Sequence, residues 1–341
     1  MIQRYLVFII LLLISCKKIT SPIEKQFNLK PDILFTSTSD GRAIVVSGID
    51  GKKQFSITNN QIDPTGPFFT PDGRYVIYSA HIESINSRSI LKYDLNKMET
   101  VQITDDSGSD SGPSMSFDGK MLAFSSKREN GFNNWNIYIL NLCTHKIKRI
   151  TDLELCYNPI FSADDSKILF SGYANGQNYL AIIDTNGTNF IKLESRPSFY
   201  SQYQFSLNGE RIFYINSEGI VSINLEGTDK IIIAPNFNES LNTHFVNPVD
   251  SILYYTGSNH LTDICRLYRL NIFTGQKVTI KESFESFTFG DCSLDGKKIL
   301  YHQIVDGRAK IGFLDLENDK DIFITDSDDN AQNPRFNNFL Y

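Results

Sequence analysis

Apolar and polar residues alternate in short runs along most of the chain, and these runs recur as one unit. A unit opens with the run PFFTPDGRYVIYS at Pro67 and again with PSMSFDGKMLAFSS at Pro113. The Asp-Gly pair in each run favours a tight hairpin turn, because both residue types tolerate a positive φ. The pattern therefore predicts two strands joined by a hairpin at the start of each unit.

The second half of the unit predicts two further strands. The apolar triplet at 76–78 (VIY) is typical of a strand that is buried on both faces. A third strand, as at 90–94 (ILKYD), alternates apolar and polar residues and ends in Asp or Asn. The fourth is more polar and ends in Ile-Thr, as at 103–104, which fits an outer edge strand. The sequence contains no long amphipathic helical pattern.

The recurrence of this unit predicts the architecture. Copies start at Pro67, Pro113, Pro159, Tyr203, His244 and Gly290, and a truncated copy contains Pro334. Four antiparallel strands at this spacing predict an all-β fold, a β-propeller of four-stranded blades. Residues 334–341 supply only a first strand and residues 33–58 only the other three, so one blade is predicted to be shared between the termini. The count gives seven blades, or six if the weak copy at His244 is not a separate blade.

The amino-terminal residues predict export. Residues 5–14 form an unbroken apolar run that would be about 15 Å long as a helix, too short for a hydrocarbon core of roughly 30 Å. We therefore interpret residues 1–15 as a signal peptide. The following Cys16 completes a sequence, LISC, that resembles the lipobox of bacterial lipoproteins, which implies acylation of Cys16. An ordinary signal peptide with a chance Cys is the alternative. Residues 16–31 are then a lipidated tether, and residues 32–341 a single propeller domain.

Composition excludes several classes of protein. The chain has 33 Lys and Arg against 39 Asp and Glu, a net charge of −6, which argues against a nucleic-acid partner. Five Cys in 341 residues are too few for a disulfide scaffold. Cys143 and Cys156 are the pair closest in sequence after Cys16, and a disulfide and buried thiols both remain open. The sequence lacks the nucleophile elbow of serine hydrolases and the phosphate-binding glycine loop.

The unit resembles the TolB-type propeller repeat, also described as the WD40-like Pro-Asp repeat. It lacks the Trp-Asp pair of the WD type, because the only Trp, Trp135, lies elsewhere in the unit. Propellers with such blades serve as interaction domains of the cell envelope, as parts of peptidases and as lyases. The resemblance therefore implies a fold and an envelope location, but it does not by itself assign a Tol-Pal role to a chain without the α/β domain of TolB.

Polar residues in and after the blade connectors are the candidates for ligand binding. Propellers usually bind ligands at one end of the central channel, and several connectors here are acidic or amide-rich. The candidate ligand-binding residues are Asp105, Asp110, Asn158, Gln202, His244 and Asn333. Clustered carboxylates favour Ca²⁺, although no run has the spacing of an EF-hand loop. A solvated rim of turn residues is the alternative interpretation.

Four histidines are candidate metal ligands. His81, His244, His260 and His302 fall near strand ends or loops that we expect at one end of the ring. Oligogalacturonate lyases have a propeller of related repeats and hold a metal with His ligands, so the resemblance implies a possible transition-metal site here. No local His pairing supports it, and ordinary rim histidines are the alternative.

These observations together favour a binding protein over an enzyme. We expect an exported propeller, lipid-anchored in the cell envelope, with the outer membrane as the favoured location, on its periplasmic or surface side. It would act as a non-catalytic binding module for an envelope protein, peptide or glycan, without a required cofactor. The alternative is a propeller enzyme, such as a metal-dependent polysaccharide lyase of the oligogalacturonate type.

Overall fold

The computed structural model describes residues 31–59, 61–105, 108–129, 134–195, 203–206, 208–235, 240–247, 252–259, 261–293, 295–326 and 330–337. Within these residues, 28 strands form seven antiparallel sheets of four strands each. The only helical element in the described part is a short 3-10 turn at Glu83–Ile85, and no helix there is long and apolar enough to cross a membrane. The all-β propeller predicted from the repeat is confirmed.

The strands follow the repeat along the chain. The chain first forms β1 (Ile33–Ser37), β2 (Ala43–Ser47) and β3 (Phe55–Ser56). Blade 1 contains β4 (Thr65–Phe69), β5 (Tyr75–Ile82), β6 (Ser87–Asp94) and β7 (Glu99–Gln102). Blade 2 contains β8 (Asp110–Met115), β9 (Met121–Ser126), β10 (Asn136–Asn141) and β11 (Lys146–Arg149). Blade 3 contains β12 (Leu155–Phe161), β13 (Lys167–Ala174), β14 (Gln177–Asp184) and β15 (Ile191–Ser195).

The second half of the chain continues in the same way. Blade 4 contains β16 (Tyr203–Phe205), β17 (Arg211–Asn216), β18 (Gly219–Asn224) and β19 (Lys230–Pro235). Blade 5 contains β20 (Ser240–Asn247), β21 (Ile252–Asn259), β22 (Ile264–Asn271) and β23 (Lys277–Ser283). Blade 6 contains β24 (Phe287–Cys292), β25 (Lys298–Val305), β26 (Arg308–Asp315) and β27 (Lys320–Phe323). The last strand is β28 (Ala331–Phe336).

Blade 7 is shared between the two ends of the chain, as predicted. Strand β28 pairs with β1, placing Ile33 opposite Phe336 and Thr36 opposite Gln332. The weak repeat copy at His244 forms a complete sheet, blade 5, so the ring has seven blades rather than six.

The Ser-x-Asp-Gly part of the repeat builds the first hairpin of a blade. In blade 2 the Ser116 hydroxyl donates to Asp118 at 2.8 Å and accepts the backbone N–H of Met121 at 2.8 Å. The same hydroxyl–carboxylate bond joins Thr70 to Asp72 in blade 1. Gly119 follows with a φ of 69°, which glycine adopts without a steric penalty. These repeat residues are therefore accounted for by the turn itself.

In blades 1, 2, 6 and 7, the Ile-Thr ending of the fourth strand bonds to the third strand of the same sheet. The Thr104 hydroxyl accepts the backbone N–H of Ile90 at 2.9 Å, and Thr151 accepts that of Ile137 at 2.9 Å. The apolar core lies along the middle strands, where Ile77 and Leu122 are fully buried. Ile77 of blade 1 and Leu122 of blade 2 belong to one buried apolar cluster, so the burial of apolar side chains between blades holds the ring together.

Candidate binding site

The ring has two ends, which the strand order defines. The hairpin end carries the turns between first and second strands and between third and fourth strands. The loop end carries the turns between second and third strands and the connectors from one blade to the next. At the hairpin end, the backbone N–H of Asn337 donates to Asp32 O at 2.7 Å, and its amide side chain contacts Gly73 O at 3.3 Å. The described chain therefore enters and leaves the ring at the hairpin end, beside blade 1.

A cavity of about 380 Å³ lies between the inner strands of blades 1, 2 and 3. It runs from the middle of these strands to their first hairpins, and its wall is mostly apolar. The residues that line it are Phe68, Phe69, Pro71, Gly112, Pro113, Ser114, Met115, Ser116, Phe117, Asn158, Pro159 and Ile160. Such a volume, with few polar groups, is typical of a ligand pocket.

The rim of the cavity is held by a contact between two blades. The Asp165 carboxylate of blade 3 accepts the backbone N–H groups of Phe117 and Asp118 of blade 2, at 2.7 and 3.0 Å. The Phe117 side chain is nevertheless 53% exposed. A fixed backbone thus presents an aromatic ring at the mouth of the cavity.

A bulge in the inner strands shapes the cavity wall. Gly66, Gly112, Asn158 and Asn333 occupy equivalent positions, each followed by Pro, with φ values of 60°, 60°, 52° and 53°. Gly and Asn are the residues that most readily adopt this left-handed conformation. Asn158 and Asn333 lie within the first strands β12 and β28, and not in the connectors between blades. Both are exposed, and Asn158 lines the cavity.

The acidic residues predicted at the loop end are arranged around a buried arginine. Arg128 Nη2 donates to both oxygens of Asp110, at 2.9 and 2.7 Å, and Asp110 is fully buried. The guanidinium also lies 5.0 Å from the Phe124 ring centroid and 5.5 Å from that of Tyr138. Asp105 is 63% exposed and reaches Arg128 Nη1 at 3.1 Å. Burial raises the pKa of Asp110, and the charge of Arg128 opposes this.

The structure does not bring the predicted histidines together in its described part. His81 lies at the end of β5 in blade 1, and His302 lies in β25 of blade 6, with blade 7 between them. Burial lowers the pKa of His302, whose Nδ1 is buried without a hydrogen-bond partner. His244 lies on β20, and its side chain is outside the described part, as are His260, Gln202 and Cys16. No group of three or more His, Cys, Asp or Glu among the described residues is placed to hold a metal ion.

The four described cysteines are present as thiols rather than as a disulfide. Cys156, Cys265 and Cys292 are buried, and Cys143 is exposed. Burial raises the pKa of Cys156 to about 11. The open question of a bridge between Cys143 and Cys156 is thereby answered in favour of thiols.

An aromatic pair at the loop end was missed by the sequence analysis. The rings of Trp135 and Tyr157 lie 5.9 Å apart, and Lys127 Nζ lies 5.1 Å from the Trp135 centroid. The backbone N–H of Cys156 donates to Trp135 O at 2.7 Å, which joins blades 2 and 3. The apolar cavity residues were also missed, although an apolar residue directly after the repeat proline, as in Phe68 and Ile160, was a visible signal.

Comparison with known proteins agrees with this architecture. The sequence model of the TolB beta propeller domain family matches residues 33–260. The Tol-Pal system protein TolB of Francisella tularensis subsp. tularensis (strain WY96-3418) is 33% identical over 110 residues, which are 32% of this chain and 24% of that protein. The chain therefore matches only about a quarter of the length of these curated relatives.

Solved structures share the fold at low sequence identity. The crystal structure of TolB from Acinetobacter baumannii superposes with a TM-score of 0.57 at 16% identity, covering 89% of this chain and 66% of that one. An oligogalacturonate lyase in complex with manganese gives a TM-score of 0.65 at 14% identity, covering 86% of this chain and 85% of that one. At these identities the likeness concerns the fold alone. The family model matches more than half of the residues of this chain, and the chain therefore belongs to the TolB beta propeller domain family.

Proposed function

We propose that this chain is an exported, lipid-anchored binding module of the cell envelope, without catalytic activity of its own. Its ring would bind a peptide segment of another envelope protein in the cavity between blades 1, 2 and 3. The observation that carries the proposal is this cavity, about 380 Å³ in volume and lined mainly by apolar side chains on fixed inner strands. A role in the Tol-Pal system is the specific form of the proposal that the TolB relatives support.

The chemistry of the cavity favours a peptide with apolar side chains. Phe68, Met115 and Ile160 supply apolar surface from three different blades, and the exposed Asn158 amide supplies hydrogen bonds to a peptide backbone. Phe117 at the mouth has the properties of an interface anchor, because it is aromatic and half exposed on a fixed backbone. The net charge of −6 argues against a nucleic acid in this role.

The position of the termini fits a tethered ring. The predicted tether, residues 16–31, would join the ring at Asp32 on the hairpin end, the end at which Pro71 and Phe117 of the cavity lining also lie. Fully extended, those residues span at most about 55 Å. A tether of this reach leaves room for a partner domain between the membrane and the cavity.

A site-directed crosslink tests the binding role. A photoreactive phenylalanine analogue at Phe117 in the full-length protein, activated in the native envelope, should yield a defined protein adduct. The matched control is the same analogue at Phe323, which is 44% exposed on the outer strand of blade 6. We expect Phe117→Glu to weaken capture of the adduct partner at least tenfold, and Phe323→Glu to leave it unchanged. Equal adducts from both positions would contradict the proposal.

Two further measurements test the anchor and the enzyme alternative. Mass spectrometry of the mature amino-terminal peptide should show acyl chains on Cys16, and Cys16→Ser should abolish them. An unacylated amino terminus would refute the anchor. If the purified protein contains a stoichiometric transition metal and consumes oligogalacturonate, the protein is a lyase and the proposed non-catalytic role is wrong.

A further inference from the structure

Two large apolar side chains at the loop end stand almost wholly in solvent. Leu261 is 86% exposed and Phe284 is 78% exposed. Ile304, in the following blade, is 38% exposed. We call these three residues the loop-end patch. Leu261 lies in the turn between β21 and β22, Phe284 in the connector from blade 5 to blade 6, and Ile304 near the end of β25.

The strand register places these residues on neighbouring rows. In blade 5, Asn259 lies opposite Ile264, and Cys265 lies opposite Ser283. Phe284 therefore leaves the sheet beside Ile264, one strand from the turn that carries Leu261. The backbone N–H of Ile304 donates to Ser286 O at 2.9 Å, which brings the end of β25 to the same connector. The patch thus spans the loop end of blades 5 and 6.

The backbone that carries the patch is held by hydrogen bonds. The Ser283 hydroxyl accepts from Glu285 N at 3.0 Å and from Gln303 Nε2 at 3.0 Å, and Gln303 is buried. On the other side, the Asn259 side chain accepts the Leu261 N–H at 2.9 Å. The exposure of Leu261 and Phe284 is therefore built into ordered turns. Exposed apolar residues on fixed turns are a feature of interaction sites.

The charges around the patch are mostly negative. Asp263, Glu285 and Asp306 are exposed on the same turns and connector, with Arg308 as the one exposed cation among the described residues there. Glu282 is neutralised by Arg266, whose Nε lies 2.7 Å from it. A partner with apolar anchors and basic flanks is complementary to this surface. An anionic lipid surface is disfavoured, because the carboxylates would repel it.

We propose that the loop-end patch docks a basic amphipathic segment of a second protein. This surface lies at the opposite end of the ring from the cavity and from the point where the tether joins. Leu261 and Phe284 insert between apolar side chains of the partner, while Asp263 and Asp306 face its Lys or Arg residues. A ring with one binding surface at each end connects two partners without moving parts.

Fluorescence anisotropy with the detergent-solubilised full-length protein tests this docking. The probe is a labelled synthetic helix of Leu and Lys with one apolar face, and its counterpart carries Glu in place of every Lys. We expect the Lys peptide to bind at least tenfold more tightly than the Glu peptide. The double variant Leu261→Ser/Phe284→Ser should lose at least tenfold in affinity, and Asp263→Asn/Asp306→Asn should lose several-fold.

The chain offers a matched control for exposure. Phe273 is 82% exposed in the turn between β22 and β23 of the same blade, at the hairpin end. Phe273→Ser should bind the Lys peptide as the parent does, and thermal unfolding should show that all variants are folded. Unchanged binding by the double variant, or equal binding of the Glu peptide, overturns the proposal. Competition by phosphatidylglycerol vesicles as effective as that by unlabelled peptide would make the patch a lipid surface, which also overturns it.

Discussion

Replacing Arg128 by Met should remove a large part of the stability of the ring. Arg128 is 5% exposed, and its guanidinium holds both oxygens of Asp110 at 2.9 and 2.7 Å. Met retains the apolar packing against Phe124 and Tyr138 but leaves the Asp110 carboxylate buried without its cation. Removing one partner of a buried ion pair costs about 3–5 kcal/mol, because the remaining charge stays desolvated.

Two control variants show whether the loss of stability comes from the buried ion pair and not simply from removing an arginine. Arg42 reaches Asp63 at 2.9 Å, but the side chains are 43% and 55% exposed. Arg42→Met should therefore cost no more than about 1 kcal/mol, as is usual for a surface pair. The double variant Arg128→Met/Asp110→Leu should recover much of the loss, because an apolar pair often replaces a buried ion pair without penalty. The expected coupling energy is about 2–3 kcal/mol.

Urea unfolding measures these free energies directly. Trp135 is the only tryptophan and lies in blade 2 beside Lys127, so its fluorescence reports on this part of the ring. Far-UV circular dichroism reports on the strands of the whole ring. If Arg128→Met costs no more than Arg42→Met, or if the double variant is as unstable as the single one, the structural role of the Asp110–Arg128 pair is refuted. A ligand-binding role of Asp110 would then regain support.

Three further predictions concern blade 6. Gly312→Ala should lower the free energy of unfolding by about 1–3 kcal/mol, because the added Cβ would lie 1.9 Å from the Tyr301 ring. Urea unfolding measures this loss, and adding Tyr301→Leu to the same chain should relieve the clash. Asp291→Ala should lower the melting temperature, because the buried Asp291 carboxylate accepts the Phe336 N–H at 2.9 Å and fastens β28. Burial lowers the pKa of His302, so the unfolded chain binds its proton more tightly and stability falls as the pH drops below about 6.5. The urea midpoint of the His302→Gln variant should therefore decrease less than that of the parent protein between neutral and mildly acidic pH.

The fold was predictable because the residues that specify it act locally. The Ser116–Asp118 bond spans two positions in sequence, and the Asp-Gly turn that follows needs no distant partner. The shared blade was predictable for a different reason: the truncated copy at Pro334 supplies a first strand and residues 33–58 the other three, although the paired strands are far apart in sequence. The register could not be predicted in detail, because the pairing of the first strand with the second shifts at Asn158 and Asn333, and the strand pattern alone does not show such a shift.

The site was less predictable because it depends on contacts between distant positions. Asp110 has the sequence features of a solvated loop residue, and only the structure shows that Arg128, in the next loop of the same blade, buries it. The cavity unites Phe68, Met115 and Ile160 from three successive blades, which no local pattern relates. His81 and His302 were grouped by their equivalent places in the repeat, yet blade 7 separates them in the ring.

The recurring positions of the repeat largely serve the folding of the blades that carry them. The hairpin hydroxyls and the closing Thr residues bond to backbone groups of their own sheet, so they are not available to a ligand. Specific binding must then come from positions at which one blade differs from the others. Phe117 and Phe284 are such positions, because each is an exposed aromatic ring on ordered backbone that the repeat does not require. Blade-specific exposed residues are therefore a better guide to the function of this ring than the repeat motif that identifies its family.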